Sequence, residues 1–299
     1  MSTVQSETPT TVVAPHRSVY KHLTQLWAYR ELFMQMVRKE LKVKYKDSVL
    51  GFVWSLVNPF MYLVVFYVVF QLVLGAGIPV FAIFLLTGLL AWNLFSVTLG
   101  AATGAIVGNA SLVNKVYFPR EILPLSAVGA NIVHFLLQGL VLVAALVAFR
   151  SQVSVQLEYV WLVVPAMLVL LVLTSAFAVF LAGVNVYARD TQHLLELALL
   201  AWFWLTPIVY PWGLLADQAA SRGLPLSVTL VNPMTSVVLA FQRALYGIEV
   251  QPGGGRIIPD ASALWYFRNL VIVGALATVF FGLAIKLFGR LEANFAEEL

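Results

Sequence analysis

The sequence contains six apolar runs of roughly membrane-spanning length, separated by polar or Gly/Pro-rich stretches. A helix of about 20 apolar residues crosses the roughly 30 Å hydrocarbon core of a bilayer. Hydrophobic residues make up 61% of the chain and charged residues 11%, whereas a soluble domain has roughly half and a quarter. We therefore predict an all-α integral membrane protein with six transmembrane helices. The predicted spans are about 49–74, 80–101, 125–149, 159–187, 193–210 and 265–288, within one transmembrane domain over 48–288.

Basic residues are distributed unevenly between the two sides that six spans define. Thirteen of the 18 Lys and Arg residues, including every lysine, fall on the side that carries both termini. Cytoplasmic loops of membrane proteins carry an excess of Lys and Arg. We therefore expect a multi-pass protein with both termini in the cytoplasm.

The stretch before the first span, residues 20–47, is basic and amphipathic. Helical periodicity places most of its charges on one arc, although Arg30, Glu40 and Lys44 interrupt the apolar arc. Such a helix lies in the membrane interface with its cations toward anionic headgroups. We predict an amphipathic interface helix here after a disordered cytoplasmic tail over 1–19; alternatively, the cations only orient the first span. The predicted headgroup contacts are Arg38, Lys39, Lys42, Lys44 and Lys46.

The region before the last span, residues 212–250, is apolar in short pieces. Leu224–Val231 and Met234–Tyr246 are too short to span and are separated by Asn232-Pro233. Pieces of this length suit interfacial or re-entrant segments, and a re-entrant backbone must be covered by protein or line a cavity. We predict re-entrant helices here, and a short polar cytoplasmic tail over 289–299.

Signatures of catalysis are missing from the sequence. It has no phosphate-binding G-x-x-x-x-G-K-[ST] loop, no H-E-x-x-H, no G-x-S-x-G and no cysteine. His193 and Glu196 lie three residues apart, a weak metal signal that a helix start explains better. We predict no catalytic, cofactor-binding or metal site and no nucleic-acid partner. Energy for driven transport would come from a separate ATPase or from an ion gradient.

The third predicted span carries Asn131, His134 and Gln138 at spacings that share one helix face. Histidine titrates near neutral pH, so one interpretation is a proton relay. The other is hydrogen bonding between helices, which the lack of a nearby intramembrane Asp, Glu or Lys favours.

Aromatic residues are frequent in the first, second and fifth predicted spans. Sugar rings stack on aromatic planes, while Tyr and Trp add a hydrogen-bonding edge. One interpretation is therefore an aromatic-lined passage for a glycan; the other is ordinary packing and an interfacial belt. The candidate pore-lining residues are Tyr62, Phe66, Tyr67, Trp92, Phe95, Trp202 and Trp204.

Four ordered stretches carry a family resemblance: RKELKVKYKDSVLGFVWSLVNPFMYLVVFYVVF at 38–70, LVNKVYFPREILPLS at 112–126, RDTQHLLELALLAWFWLTPIVYP at 189–211, and LVNPMTSVVLAFQRALYG at 230–247. Together they resemble permease subunits of ATP-binding-cassette exporters for polysaccharides and polyol phosphates. That family handles lipid-linked O-antigen, teichoic acid, capsule and galactan.

The resemblance implies a permease that moves a lipid-linked polysaccharide across the cytoplasmic (inner) membrane of a bacterium. It implies a second copy of the chain and a separate nucleotide-binding subunit that holds ATP and Mg, with the polymer passing between the first and fifth spans of two protomers. It also implies a coupling helix seated on the ATPase. Its residues would be Asn114, Lys115, Val116, Tyr117, Phe118, Pro119, Arg120 and Glu121.

Two other classes remain open from the residues alone. One is a drug or small-lipid exporter permease of the same superfamily. The other is an ion-driven transporter or a membrane-bound glycan enzyme, which the missing relay and catalytic motifs disfavour.

Overall fold

A computed structural model of the chain describes residues 28–46, 51–153 and 155–299. The predicted tail over 1–19 and the start of the predicted interface helix lie outside the described residues. Within these ranges the secondary structure is helical, with no β-strand and one isolated bridge between Val250 and Arg256. The predicted all-α class is confirmed.

We number the α-helices of the described ranges in chain order. They are α1 Arg30–Tyr45, α2 Trp54–Phe66, α3 Phe81–Thr103, α4 Ala110–Lys115, α5 Ile122–Ala148, α6 Leu157–Val160, α7 Val163–Tyr187, α8 Thr191–Trp204, α9 Trp212–Ser221, α10 Pro233–Leu245, α11 Ala263–Leu291 and α12 Phe295–Glu298. A π-helix, Tyr67–Val73, continues α2. Short 3-10 helices lie at Gly51–Val53, Val107–Asn109, Leu226–Leu230 and Glu292–Asn294.

Four helices in the described ranges are long and apolar enough to cross a membrane: α3, α5, α6 with α7, and α11. They match the predicted second, third, fourth and sixth spans, and the protein is therefore a multi-pass membrane protein. The first and fifth predicted spans correspond to shorter helices, Pro59–Val73 and the 14-residue α8. Six spans thus remain a prediction.

Prolines set several helix ends. The α8 helix stops at Trp204, before Thr206-Pro207, because a residue that precedes proline disfavours the helical conformation. The region before the last span contains α9 and α10, whereas the predicted apolar piece at 224–231 forms only a 3-10 helix. The piece at 224–231 forms no α-helix because Pro225 has an extended backbone there, whereas α9 is built from the mixed sequence WGLLADQAAS.

The α3 helix lies at the centre of the bundle. Its side chains pack against α5, α7 and α10, and α7 packs along α11. Sixteen of its 23 residues are buried. One close approach is Gly88, where an added Cβ would lie 3.1 Å from Ile208 Cγ2. The central helix is therefore enclosed by its own chain.

The bundle has two ends, which we name for reference. The basic end comprises α1, residues 104–121, 187–191 and 289–299. The distal end comprises residues 75–80, 149–162 and 205–262. At the distal end, tyrosine hydroxyls bond loops to helices: Tyr246 Oη donates to Pro79 O at 2.7 Å and Tyr266 Oη to Pro259 O at 2.6 Å.

Candidate functional site

The α1 helix lies against α5 with its apolar side inward. Val37 is buried, while Phe33 and Met36 are half-buried. The two helices approach closely at Gly129, where an added Cβ would lie 2.8 Å from Val37 Cγ2 and 3.0 Å from Phe33 Cζ. A glycine at this position therefore allows α1 to seat on α5.

Cations line the exposed part of α1. The predicted headgroup contacts, Arg38, Lys39, Lys42 and Lys44 of α1 and Lys46 directly after it, are all exposed. Lys39 Nζ also donates to Asn109 Oδ1, which joins α1 to the turn before α4. Although Lys44 remains accessible, neighbouring protein atoms desolvate its ammonium and lower its pKa below the usual lysine value. The helix thus presents a row of cations beside the apolar bundle.

The segment predicted as a coupling helix, 114–121, is helical only at its start. The α4 helix ends at Lys115, and Val116 is extended with φ −130° and ψ 135°. The predicted helix over 114–121 was therefore wrong beyond Lys115. Proline explains this, since Pro119 disfavours helical conformation at Phe118 and cannot donate a backbone hydrogen bond.

The same segment divides into an outer and an inner half. The outer half, Asn114 to Tyr117, is exposed, and Tyr117 is 82% accessible. In the inner half, Phe118 and Glu121 are buried, with exposed fractions of 4% and 3%. Pro119 and Arg120 are half-buried. The arrangement offers a projecting surface with an anchored base.

An apolar cluster surrounds the buried inner half of 114–121. We call it the basic-end cluster. Its buried members are Ile106, Val113, Phe118, Ile122, Leu123, Val179, Ala182, Val186, Ala284, Ile285, Phe288 and Phe295. Phe295 lies in the stretch predicted as a polar tail, yet it is fully buried. The C-terminal residues are therefore packed against the bundle, because Phe295, an aromatic residue in a polar stretch, is buried in this apolar cluster.

The candidate pore-lining aromatics fall into two groups. Tyr62, Tyr67 and Trp204 are exposed on α2, its π-helical continuation and α8. Phe66 joins these helices by stacking on Phe203, with ring centroids 5.9 Å apart. We call the exposed side of α2, Tyr67–Val73 and α8 the uncovered face.

The remaining three aromatics do not lie on that face. Trp92 and Phe95 are 6% and 0% exposed. Trp202 is half-buried against Phe95, and its Nε1 donates to Asn232 Oδ1 at 2.7 Å. Trp92 and Phe95 are thus buried in the single chain, and their place in a pore lining stays a prediction.

The polar residues of α5 are inside the bundle. Asn131 and His134 are buried, and Asn131 Nδ2 donates to Ala127 O, within its own helix, at 2.9 Å. Gln138 borders an apolar cavity of about 360 Å³ between α2, α3 and α5. The proton relay and the interhelical hydrogen bonds both stay predictions.

His193 and Glu196 are both exposed on α8. Across residues 28–46, 51–153 and 155–299, no group of three or more His, Asp or Glu side chains is placed to hold a metal ion.

Two structural residues were missed by sequence reasoning. Asn232 caps α10 by accepting from Met234 N at 3.0 Å, and its Nδ2 donates to Thr206 Oγ1 at 2.8 Å. It therefore joins the ends of α8 and α10. Asn-Pro before an apolar run is a helix-start signal that could have identified it.

The other missed residue is Arg243, 3% exposed on α10. It donates to Glu249 Oε1 and, at 3.3 Å, to Gln156 Oε1. Its guanidinium lies 3.9 Å from the centre of the Tyr159 ring. An arginine within an apolar stretch signals a paired, buried charge, and here it joins α10 to two distal loops.

Comparison with known proteins agrees with this architecture. A family model described as ABC-2 type transporter matches residues 31–246. The chain is 32% identical over 275 residues to an O-antigen export system permease protein RfbA of Myxococcus xanthus, covering 92% of this chain and 98% of the relative. It is 27% identical over 269 residues to the protein of that name in Klebsiella pneumoniae, covering 90% and 95%.

A more distant relative is a polysialic acid transport protein KpsM of Escherichia coli, 25% identical over 254 residues, with 83% of this chain and 89% of the relative covered. The family match extends from α1 through α10. It therefore includes α1, the segment at 114–121, the uncovered face and the Asn232 cap. The chain belongs to the ABC-2 type transporter family.

Proposed function

We propose that this chain is the membrane-spanning permease subunit of an ATP-driven exporter of a lipid-linked polysaccharide, such as an O-antigen-like glycan. The observation that carries the proposal is the similarity to O-antigen export permeases over 92% of this chain and 98% of the relative. The chain would not be an enzyme itself. ATP and Mg would bind to a separate subunit, and their hydrolysis would drive transport.

The proposed topology has six spans, with α2 and α8 as the two short ones and both termini in the cytoplasm of a bacterium. The lysines support this orientation, because each lies before the first span, at the basic end or, for Lys286, in the last two turns of α11. The region of α9 and α10 would then form re-entrant helices on the outer side. Residues 1–19 would be a cytoplasmic tail, and 48–288 the permease domain.

The ATPase would dock on the outer half of 114–121. The exposed residues Asn114, Lys115, Val116 and Tyr117 support this, since they project from the same end as the cations of α1. Tyrosine with high accessibility is a frequent anchor in protein interfaces. Phe118 to Glu121 would transmit the movement of the ATPase to α5, which begins at Ile122.

The substrate would pass between two copies of the chain, along their uncovered faces. Aromatic side chains at Tyr62, Phe66, Tyr67 and Trp204 would let sugar rings slide without a deep binding minimum. The cations of α1 would attract the pyrophosphate of the carrier lipid, as basic clusters beside a membrane attract anionic headgroups.

Purification of the full chain from its own cells tests the proposal. We expect co-purification with an ATP-binding-cassette subunit, and accumulation of lipid-linked glycan inside cells depleted of the chain. Tyr117→Asp is expected to lose the ATPase subunit, whereas Leu157→Asp, at an 89% exposed position of the distal end, retains it. A chain that purifies without an ATPase, or that exports drugs or small lipids with normal surface glycan, would contradict the proposal.

A further inference from the structure

We call residues 114–121 the coupling segment. The C-terminal residues contact its inner half directly. Arg120 Nη1 donates to the backbone carbonyl of Glu292 at 2.8 Å, and Arg120 Nε lies 3.6 Å from Glu292 Oε1. The Arg120 guanidinium also lies 5.7 Å from the centre of the Phe295 ring. One arginine therefore joins two parts of the chain that are 172 residues apart in sequence.

Phe295 extends this contact to two long helices. Its ring packs edge-on to Phe288 of α11, with centroids 5.4 Å apart, and lies 6.2 Å from the Tyr187 ring of α7. Tyr187 Oη donates to Leu291 O at 2.8 Å. Residues 292–299, which we call the C-terminal brace, thus fill the space between the coupling segment and the ends of α7 and α11.

The coupling segment needs such support. Residues 116–121 lack a continuous helical hydrogen-bond ladder, and a stretch of this kind moves independently unless side-chain contacts hold it. Its outer half is exposed and its inner half is packed on the basic-end cluster. A force on Tyr117 reaches the bundle through those inner contacts and through Val113 of α4, which packs on the same cluster.

We infer that the C-terminal brace is a positioning element, which fixes the coupling segment to α7 and α11 so that displacement of the segment moves these helices together with α5. This inference rests on the proposed docking of an ATPase at 114–117. Phe295 acts through Arg120 and Phe118; it does not contact the ATPase. Its removal uncouples ATP hydrolysis from movement of the bundle.

Phe295→Ala in the full complex, reconstituted in vesicles with lipid-linked glycan extracted from the same cells, tests this inference. We expect ATP hydrolysis to stay within about twofold of wild type while the glycan moved per ATP falls about tenfold, a size typical of a lost coupling contact. Phe295→Leu keeps the apolar volume and restores most of the ratio. Glu297→Gln, at an exposed position of the same short helix, leaves the ratio unchanged.

A second readout does not depend on the glycan. Since the chain has no cysteine, a single Lys115→Cys variant carries one spin label at the coupling segment. We expect the label to become more mobile with Phe295→Ala and to return to its original mobility with Phe295→Leu. Unchanged mobility overturns the brace, whereas a wild-type complex that hydrolyses ATP without moving glycan overturns only the proposed function.

Glu292→Gln covers the case in which Phe295→Ala prevents assembly. Glu292 is partly exposed at 29%, so its neutral isostere leaves folding intact. We expect the glycan moved per ATP to fall about two- to threefold and the label to become more mobile. The effect is smaller because the carboxylate contributes less than the buried ring. If Glu292→Gln changes neither the ratio nor the label mobility, the inference is wrong.

Discussion

The α3 helix and the α2 helix are both strongly apolar, but they differ in how far the bundle buries them. α3 is enclosed by α5, α7 and α10, and most of its residues are buried. α2 leaves large side chains exposed, among them Phe60 at 60% and Tyr62 at 42%. A cavity of about 360 Å³ separates part of α2 from α3 and α5.

This difference shows that apolar character alone does not define the core of a membrane protein. Lipid chains are as apolar as leucine, so a helix face can be satisfied by lipid, by a second protein or by its own bundle. α8 follows α2 in this respect, with Leu194, Leu197 and Leu200 each more than 60% exposed. The uncovered face is therefore available for contact with lipid or with a second protein.

The largest expected effect is a loss of stability from a substitution in the enclosed region. Phe95→Ala removes a fully buried ring that lies 5.1 Å from Trp202 and 5.9 Å from Phe177, so we expect a stability loss of about 3–5 kcal/mol. Tyr62→Ala, on the uncovered face, is expected to change stability by less than about 1 kcal/mol while lowering glycan export. Thermal unfolding of the purified chains and surface-glycan analysis measure the two effects. Equal destabilisation by both would contradict the comparison.

A second prediction concerns the buried charge at the distal end. Arg243→Met leaves Glu249 and Gln156 without their shared donor, and we expect a loss of about 2–3 kcal/mol. The double variant Arg243→Met/Glu249→Gln is expected to recover part of it, because no unpaired carboxylate remains. Arg222→Met, at an exposed position, serves as the control. Additive effects in the double-mutant cycle would count against direct pairing.

A third prediction sharpens the contact of α1 with the bundle. Gly129→Leu forces a side chain into Phe33 and Val37, with an expected cost of about 1–2 kcal/mol from overpacking. Gly139→Leu lies on the same helix, where an added Cβ meets nothing within 4 Å. Because both variants gain the same helix propensity, their difference in unfolding temperature reports the clash alone. No difference would show that α1 does not seat at Gly129.

The smallest expected effect is at Lys44. Its folded-state pKa lies below the ordinary lysine value, so between the two values the unfolded chain binds more protons and stability rises with pH. Lys44→Met is expected to abolish that alkaline slope and change stability at neutral pH by less than about 0.5 kcal/mol. Lys42→Met, at an exposed position of the same helix, keeps the slope. Unfolding curves at neutral and alkaline pH measure it.

Sequence reasoning identified local features well. The all-α class, four of the predicted spans and the amphipathic α1 depend on hydropathy and periodicity within a single stretch. Both can be recognised without knowing which helices pack together. The coupling segment was located by its motif, although the helix that the resemblance implied over 114–121 ends at Lys115, because Pro119 disfavours a continued helix. Asn232 carried a legible helix-start signal that was missed.

What the sequence alone determined is that this chain crosses a membrane as helices and carries most of its cations at one end. Only the tertiary structure decided that Phe95 is enclosed while Tyr62 is exposed, that Phe295 packs beneath the coupling segment, and that Arg243 joins the distal loops. These outcomes depend on which helices become neighbours. In an apolar chain, side chains that face lipid and side chains that face protein are chemically alike, so their one-dimensional pattern does not distinguish them.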